Sequence, residues 1–367
     1  MWTWLNKTLL EFEIFFSNRR AFAWFVVVII GMMLSIDHMG VTSIVRALGI
    51  NAAAYKCLLH FFRAESYKLA EIEWKWQALI SKLPHLYRIT ERVVMVGDGV
   101  MQSKEGRFMP GVKKLRQQSE NSAKGEYIFG HMFGGVGVIV GNTCQKMYCT
   151  LISLRIHDGL RAINAWMKSG TYDEASHVEK TIHDAGRASR VFGPALLLLD
   201  RLFLTNPMLN TLAGYPLIQV VTKAKKNAKA YYQPTPKPKG RPGPQAEKGA
   251  EVKVASFFDS MAAVFVTITA CLYGEEQEVS YYSTDLLWGD KLDASGKRQT
   301  LRFVLVWLDG VKSILASTDL TLEPKDIIEL YCHRFKILSA SFCYAHLFSS
   351  GLDIAGKSAV SGIKRCA

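Results

Sequence analysis

The sequence has no Cys-x-x-Cys pair. Its seven cysteines are an odd number, Cys144 and Cys149 stand close together, and no second Cys or His pair completes the spacing of a zinc site. Reduced thiols in a cytoplasmic protein are therefore expected. Acidic residues are few relative to basic ones, 32 Asp and Glu against 45 Lys and Arg, for a net charge of +13. An excess of that size points to a polyanion, nucleic acid before an anionic membrane. No segment reaches the ~20 consecutive apolar residues of a spanning helix. The best candidate, AFAWFVVVIIGMMLSI at 21–36, is sixteen uncharged residues closed by Asp37 and His38, with no small-residue cleavage site after it. It is expected to be a fully buried core helix, and no membrane partner is expected. Proline is nearly missing from the first 150 residues, where only Pro84 and Pro110 occur.

What is present is enough apolar material, 49% of 367 residues, for a large core with an extra module or a second domain. Residues 1–90 read as a helical domain. Within them 41–64 is a helix, a Gly-Ile-Asn break and a second helix, a spacing common to DNA-binding motifs and to ordinary bundles. From residue 91 the texture changes. RVVMVGDGV (92–100) predicts a buried strand stopping at Gly97-Asp98-Gly99, and 127–141 and 147–158 predict two neighbours. Residues 173–193 predict a helix stopped by Gly193-Pro194. Then follow a strand at 195–200, a short helix at 206–214 and a strand at 215–224. The fold class expected from this order is α/β, a ribonuclease H-like core that begins at 91–222.

Residues 223–253 carry nine Lys or Arg and two acids, so +7 of the chain's +13 lies here. Prolines hold such a segment extended and remove backbone donors. A solvated basic arm is expected, with Lys223, Lys225, Lys226, Lys229, Lys237, Lys239 and Arg241 on DNA phosphates and Tyr231 and Tyr232 placed to stack on bases. A β-rich insertion with a meander follows at 254–310. The last part of the core, 311–338, holds a final helix starting near Pro324 and running through IIELYCHRFKILSASF (327–342), and 339–367 is a divergent tail.

Two carboxylates stand out. Asp98 and Asp200 each end an apolar run of the kind that forms a strand covered on both faces. Sites in α/β sheets lie beyond strand ends, so two such aspartates can converge there and bind a hard divalent cation through oxygen. On the final helix, about 100° per residue places Arg334, Leu338 and Ala345 within about 60° of Tyr331, on one stripe.

Gly97-Asp98-Gly99-Val100 with Lys104 to Val112 after it, LLLLDRLFLT (196–205), KGRPG (239–243) and YCHRFKI (331–337) occur in the order and spacing of a known family. The chain resembles a bacterial insertion-sequence transposase of the DDE superfamily, in the branch whose last helix carries a Tyr-x2-Arg-x3-Glu-x6-Lys signature. The resemblance covers about residues 20–337. It implies a ribonuclease H-like core with a β-rich insertion before the last helix, and Mg²⁺-dependent (or Mn²⁺-dependent) cleavage and joining of transposon ends. It assigns Asp98 and Asp200 as the first two catalytic acids and metal ligands, and Tyr331 and Arg334 as the start of the signature. The implied partner is double-stranded DNA, both element ends and target, with Arg334 and Lys336 among the contacts. A homodimer is compatible with this, as is a nucleoid-associated place in the bacterial cytoplasm.

The pattern then breaks. Leu338 stands at the glutamate position and Ala345 at the lysine position. Glu329 lies on the opposite side of the helix, Asp326 is twelve residues away, ~18 Å along the axis, and Asp353 is fifteen away. Loss of the reading frame, or of selection on it, after Ile337 is the expectation, with an intact continuation in another frame, so that catalysis is impaired in this chain. The competing expectation is a DNA-binding protein without catalysis.

Overall fold

The computed structural model describes residues 2–36, 40–103, 111–116, 126–141, 147–157, 175–236, 245–289 and 298–335. Five helices come first: α1 (Trp2–Leu10), α2 (Arg19–Leu34), α3 (Val41–Ala47), α4 (Ala54–Arg63) and α5 (Leu69–Ile80). Asn18 caps α2 by accepting the Ala21 N–H at 2.9 Å. The helices close on Phe12, Phe16, Val28, Ile44, Leu58 and Phe61. Gly31 lets α2 approach α3, since a Cβ there would lie 2.4 Å from Ile44 Cγ2.

The fully buried helix expected at 21–36 is corrected. Only Ala21, Val28 and Gly31 of α2 are buried, and Met33, Leu34 and Ile36 are exposed. Most of the other apolar side chains of α2, Phe22, Trp24, Phe25, Val27 and Met32 among them, are half-buried against the helical core. Among the described residues no helix is long and apolar enough to cross a membrane.

The remainder is α/β, built on one large mixed sheet. Its strands are β1 (Arg88–Ile89), β2 (Arg92–Ser103), β3 (Lys113–Arg116), β4 (Tyr127–Gly141), β5 (Met147–Ile156), β6 (Ala195–Leu198), β7 (Ile218–Lys223), β8 (Lys229–Tyr231), β9 (Glu251–Lys253), β10 (Val266–Leu272), β11 (Glu275–Trp288), β12 (Gln299–Leu308) and β13 (Val311–Ser317). The order is β3-β4-β2-β6-β7-β13-β12-β11-β8-β9, with β5 also on β4, β10 on β11 and β1 on β2. β2 pairs antiparallel with β4, and β4 with β5. β2, β6 and β7 are mutually parallel. From β13 onward the meander extends the same sheet through the antiparallel β7–β13 pair.

Both faces of the parallel strands are covered, which is why they read as unbroken apolar runs. Val93, Met95, Leu197 and Leu199 pack with Ile182, Ala185 and Phe192 of α6 (His177–Phe192). Val94, Val96, Leu196 and Leu198 pack with Ile327, Ile328 and Leu330 of the last helix. α6 starts at His177 rather than 173 because Ser176 and Glu179 form a reciprocal capping box, and it ends at Gly193, whose φ is +78°. α7 (Asn206–Leu212) is capped by Thr205. α5 is fixed to β5 by Trp76 Nε1 donating to Leu151 O at 2.8 Å and Gln77 Nε2 donating to Ile152 O at 3.1 Å.

Candidate two-aspartate site

Side chains in a strand alternate, so every second residue shares a face. Val94 and Val96 face the last helix, and the next position in that row is Asp98. Leu196 and Leu198 do the same on β6, and the next position is Asp200. Val96 pairs with Leu198, and Leu198 with Val221, in parallel register. The register therefore brings Asp98, Asp200 and Lys223 into one row across three neighbouring strands.

The strand does not stop at Gly97-Asp98-Gly99 as expected; β2 runs on to Ser103. The glycines serve the opposite face. A Cβ on Gly97 would lie 2.8 Å from both Leu199 Cδ2 and Thr181 Cγ2, and one on Gly99 would lie 2.4 Å from Met132 Cε and 2.6 Å from His177 Nε2. Gly97→Ala and Gly99→Ala should each lower stability by about 1–3 kcal/mol through overpacking, read as an earlier urea midpoint at unchanged slope. A midpoint equal to wild type would show that the face has room.

The last helix, α8 (Pro324–Tyr331), passes into a 3₁₀ turn at Cys332–Phe335. The expected α-helix through 342 is thus corrected as far as residue 335; Lys336, Leu338 and Ala345 lie outside the described residues. At three residues per turn, Arg334 sits directly above Tyr331. Arg334 Nη2 is 3.1 Å from Asp98 Oδ2 and 3.6 Å from Asp200 Oδ2. Two oxygens that near one nitrogen are less than ~7 Å apart, against the ~4 Å that separates paired catalytic metals. The structure thus brings together Asp98, Asp200 and Arg334, with Tyr331 on the same turn.

Asp98 is 7% exposed. Its Oδ1 accepts the Gly99 N–H at 2.8 Å. Burial raises its pKa and Asp200 adds to this, while Arg334 and the Gly99 N–H oppose. Burial pushes the Tyr331 phenol above the ordinary tyrosine range, with Arg334 opposing and the two aspartates adding. Lys223 is lowered by burial and by Arg201, with Asp200 opposing. Glu329 is turned away, its Oε1 accepting the Cys271 N–H at 2.9 Å. Among the described residues no group of three or more His, Cys, Asp or Glu side chains gathers to hold a metal. Carboxylate oxygen is the donor that hard divalent ions take, and Asp98 and Asp200 are two such donors brought near each other.

The basic arm is corrected in part. Lys223 ends β7, and β8 and β9 pair with each other and join β11 through Tyr231 and Leu287. Ala230 and Val254 are buried, so the arm's ends are docked on the sheet rather than solvated. Lys229 pairs with Glu251 at 2.7 Å. Tyr231 donates to the same carboxylate at 3.3 Å and lies 3.9 Å beneath Lys248 Nζ, so one of its faces is already covered. Lys225, Lys226 and Tyr232 are exposed. Lys237, Lys239 and Arg241 lie outside the described residues. A cleft of about 420 Å³ opens beside the arm, lined by Thr205, Asn206, Lys225, Lys229, Tyr231 and Trp288.

Sequence reasoning missed a buried polar cluster on the α6 face, directly behind the site strand. Asp184 accepts from Arg155 Nε at 3.0 Å, meets His157 Nε2 at 3.0 Å and pairs with Arg187. His157 Nδ1 lies 2.8 Å from His177 Nδ1, and Arg155 reaches on to Glu73. Arg155, His157, His177, Asp184 and Arg187 come from β5, its end and α6, with Glu73 added from α5, and no spacing in the chain relates them; the available signal was a His and an Asp seven residues, about two turns, apart on a capped helix. Comparison with protein-family models finds no match, and comparison with curated proteins finds none.

Proposed function

We propose that this chain is a DDE-type transposase by descent, a protein that holds transposon-end DNA over a two-aspartate site and is impaired in cutting it. The observation that carries this reading is the meeting of Asp98 and Asp200 at neighbouring parallel strands beneath Tyr331 and Arg334. Further support comes from the strand order β5-β4-β2-β6-β7, two antiparallel pairings followed by two parallel ones, which is what a ribonuclease H-like core requires. The antiparallel β10–β13 region between β7 and the last helix fits the inserted β-rich segment.

A Mg²⁺ or Mn²⁺ bound at such carboxylates supplies Lewis-acid stabilisation of a phosphodiester displacement. Asp98 and Asp200 are the residues that would hold it. Lys223 and the exposed Lys225 and Lys226 offer cations to the DNA backbone along one side. Tyr331, protonated at neutral pH, offers a hydroxyl donor on the turn that carries Arg334. Leu338 provides no oxygen where the signature places its third acid. A second reading, DNA binding without catalysis, is favoured by that leucine.

Both readings require duplex binding. Lys225→Ala with Lys226→Ala should weaken binding to every sequence and flatten the log–log salt dependence by about 0.9 per lost phosphate contact. Lys229→Ala should do less, because Glu251 already neutralises that side chain. Fluorescence anisotropy across a salt series measures both. Unchanged affinity and slope for the double variant would remove the arm from the DNA interface and leave α1–α5 as the remaining candidate.

A further inference from the structure

We propose that Arg334 is an internal counter-ion that closes the Asp98–Asp200 pair to divalent cations until a DNA phosphate draws the guanidinium away. The inference rests on the proposal above that this pair is a cation site. It makes metal binding and DNA binding mutually reinforcing, with one side chain as the coupling element.

The geometry sets up a direct competition. Arg334 Nη2 contacts Asp98 Oδ2 at 3.1 Å and lies 3.6 Å from Asp200 Oδ2, so a single nitrogen stands between the two donors. A Mg²⁺ ion needs its oxygens at ~2.0–2.1 Å with near-octahedral surroundings. A guanidinium hydrogen-bonded to the same oxygen blocks one approach to it, and its charge opposes a second cation beside it. Two carboxylates this close, one of them 7% exposed, repel each other unless a cation offsets them. Arg334 does so in the absence of metal.

The arginine is also poised to leave. Its Nε is buried and has no hydrogen-bond acceptor, an arrangement that costs free energy until an acceptor arrives. Phosphate offers a guanidinium two parallel hydrogen bonds, a stronger match than its single Nη2 contact with Asp98. One face of the guanidinium lies over the ring of Phe335, 4.8 Å from its centroid, and Phe335 is exposed. Arg334 itself is buried, 7% exposed, so a phosphate reaches the guanidinium only where the exposed Phe335 ring gives way. Lys223, in the same row as the two aspartates, feels both Asp200 and Arg201, so further positive charge stands beside the pair for a phosphate to meet.

The test is Mn²⁺ affinity of the full chain, read by electron paramagnetic resonance of the free ion, with and without a short duplex of mixed sequence. Arg334→Gln should bind Mn²⁺ roughly tenfold more tightly than wild type without DNA, within the range usual for coupled sites. Duplex DNA should tighten Mn²⁺ binding to wild type and leave Arg334→Gln nearly unchanged. Arg334→Lys, which keeps the charge, should stay near wild type. Equal or weaker Mn²⁺ binding by a folded Arg334→Gln chain, or Arg334→Lys behaving like the glutamine, would overturn the counter-ion role while leaving the aspartate site standing. No Mn²⁺ binding by either variant that depends on Asp98 would end both.

Discussion

Asp184→Asn should cost about 3–5 kcal/mol of folding stability, the usual effect of removing one partner from a buried ion cluster. The side chain is 1% exposed. It holds Arg155, Arg187 and His157 at once, and the substitution leaves their donors and charges facing a neutral amide. Urea unfolding of the two chains measures the loss. The same carboxylate predicts an acid dependence. Burial alone would raise its pKa, but the hydrogen bond and charge of His157 and the charges of Arg155 and Arg187 outweigh burial and hold it below the ordinary range. A carboxyl depressed in the folded state contributes stability above its unfolded pKa, near ~3.9, and loses that contribution as pH falls through the lower folded value. Wild type should therefore weaken below about pH 4 more steeply than Asp184→Asn does. A variant within ~1 kcal/mol of wild type at pH 7, with a parallel acid limb, would show that the cluster is solvated and structurally idle.

Mg²⁺-dependent cleavage of duplex DNA should be undetectable for the chain as it stands. A leucine at 338 cannot ligate a hard cation, and two carboxylates alone leave a metal pair unable to stabilise both the attacking and the leaving oxygen. Leu338→Glu should raise Mn²⁺ affinity roughly tenfold, about 1.4 kcal/mol. It should restore little strand transfer, because Ala345 stands where the signature has its lysine. The measurement is nicking of a labelled DNA duplex, beside Mn²⁺ titration of the same protein. Robust cleavage by the unmodified chain, abolished by Asp98→Asn, would contradict the impaired reading and require another third ligand.

The parallel strands β2, β6 and β7 were legible because each is an apolar run with both faces covered. Tyr127–Gly141 begins and ends where its composition predicts. Asp98 and Asp200 were legible as residues following such runs, but their proximity depends on parallel register, which no local pattern states. The extent of β2 was misjudged because Gly97 and Gly99 suggest a turn; their actual cause is the press of Leu199, Thr181, Met132 and His177 on the other face. The arm was misjudged because net charge predicts solvation, whereas Ala230 and Val254 anchor its ends and Glu251 and Tyr231 take up part of the charge. The exposure of Met33, Leu34 and Ile36 was hidden because an apolar run carries no record of how many sides are covered. Asp184, His157 and His177 were invisible for the same reason as the site itself was visible only in part: their meeting is made by the packing of α6 on β5.

The most direct test of the central claim is Mn²⁺ binding to wild type, Asp98→Asn and Asp200→Asn in parallel, by the free-ion resonance signal, with circular dichroism confirming that each variant is folded. If the two strand-end carboxylates form one cation site, wild type binds weakly because only two acids hold the ion, and either substitution alone abolishes binding. Mn²⁺ binding retained by both variants at wild-type strength would contradict it.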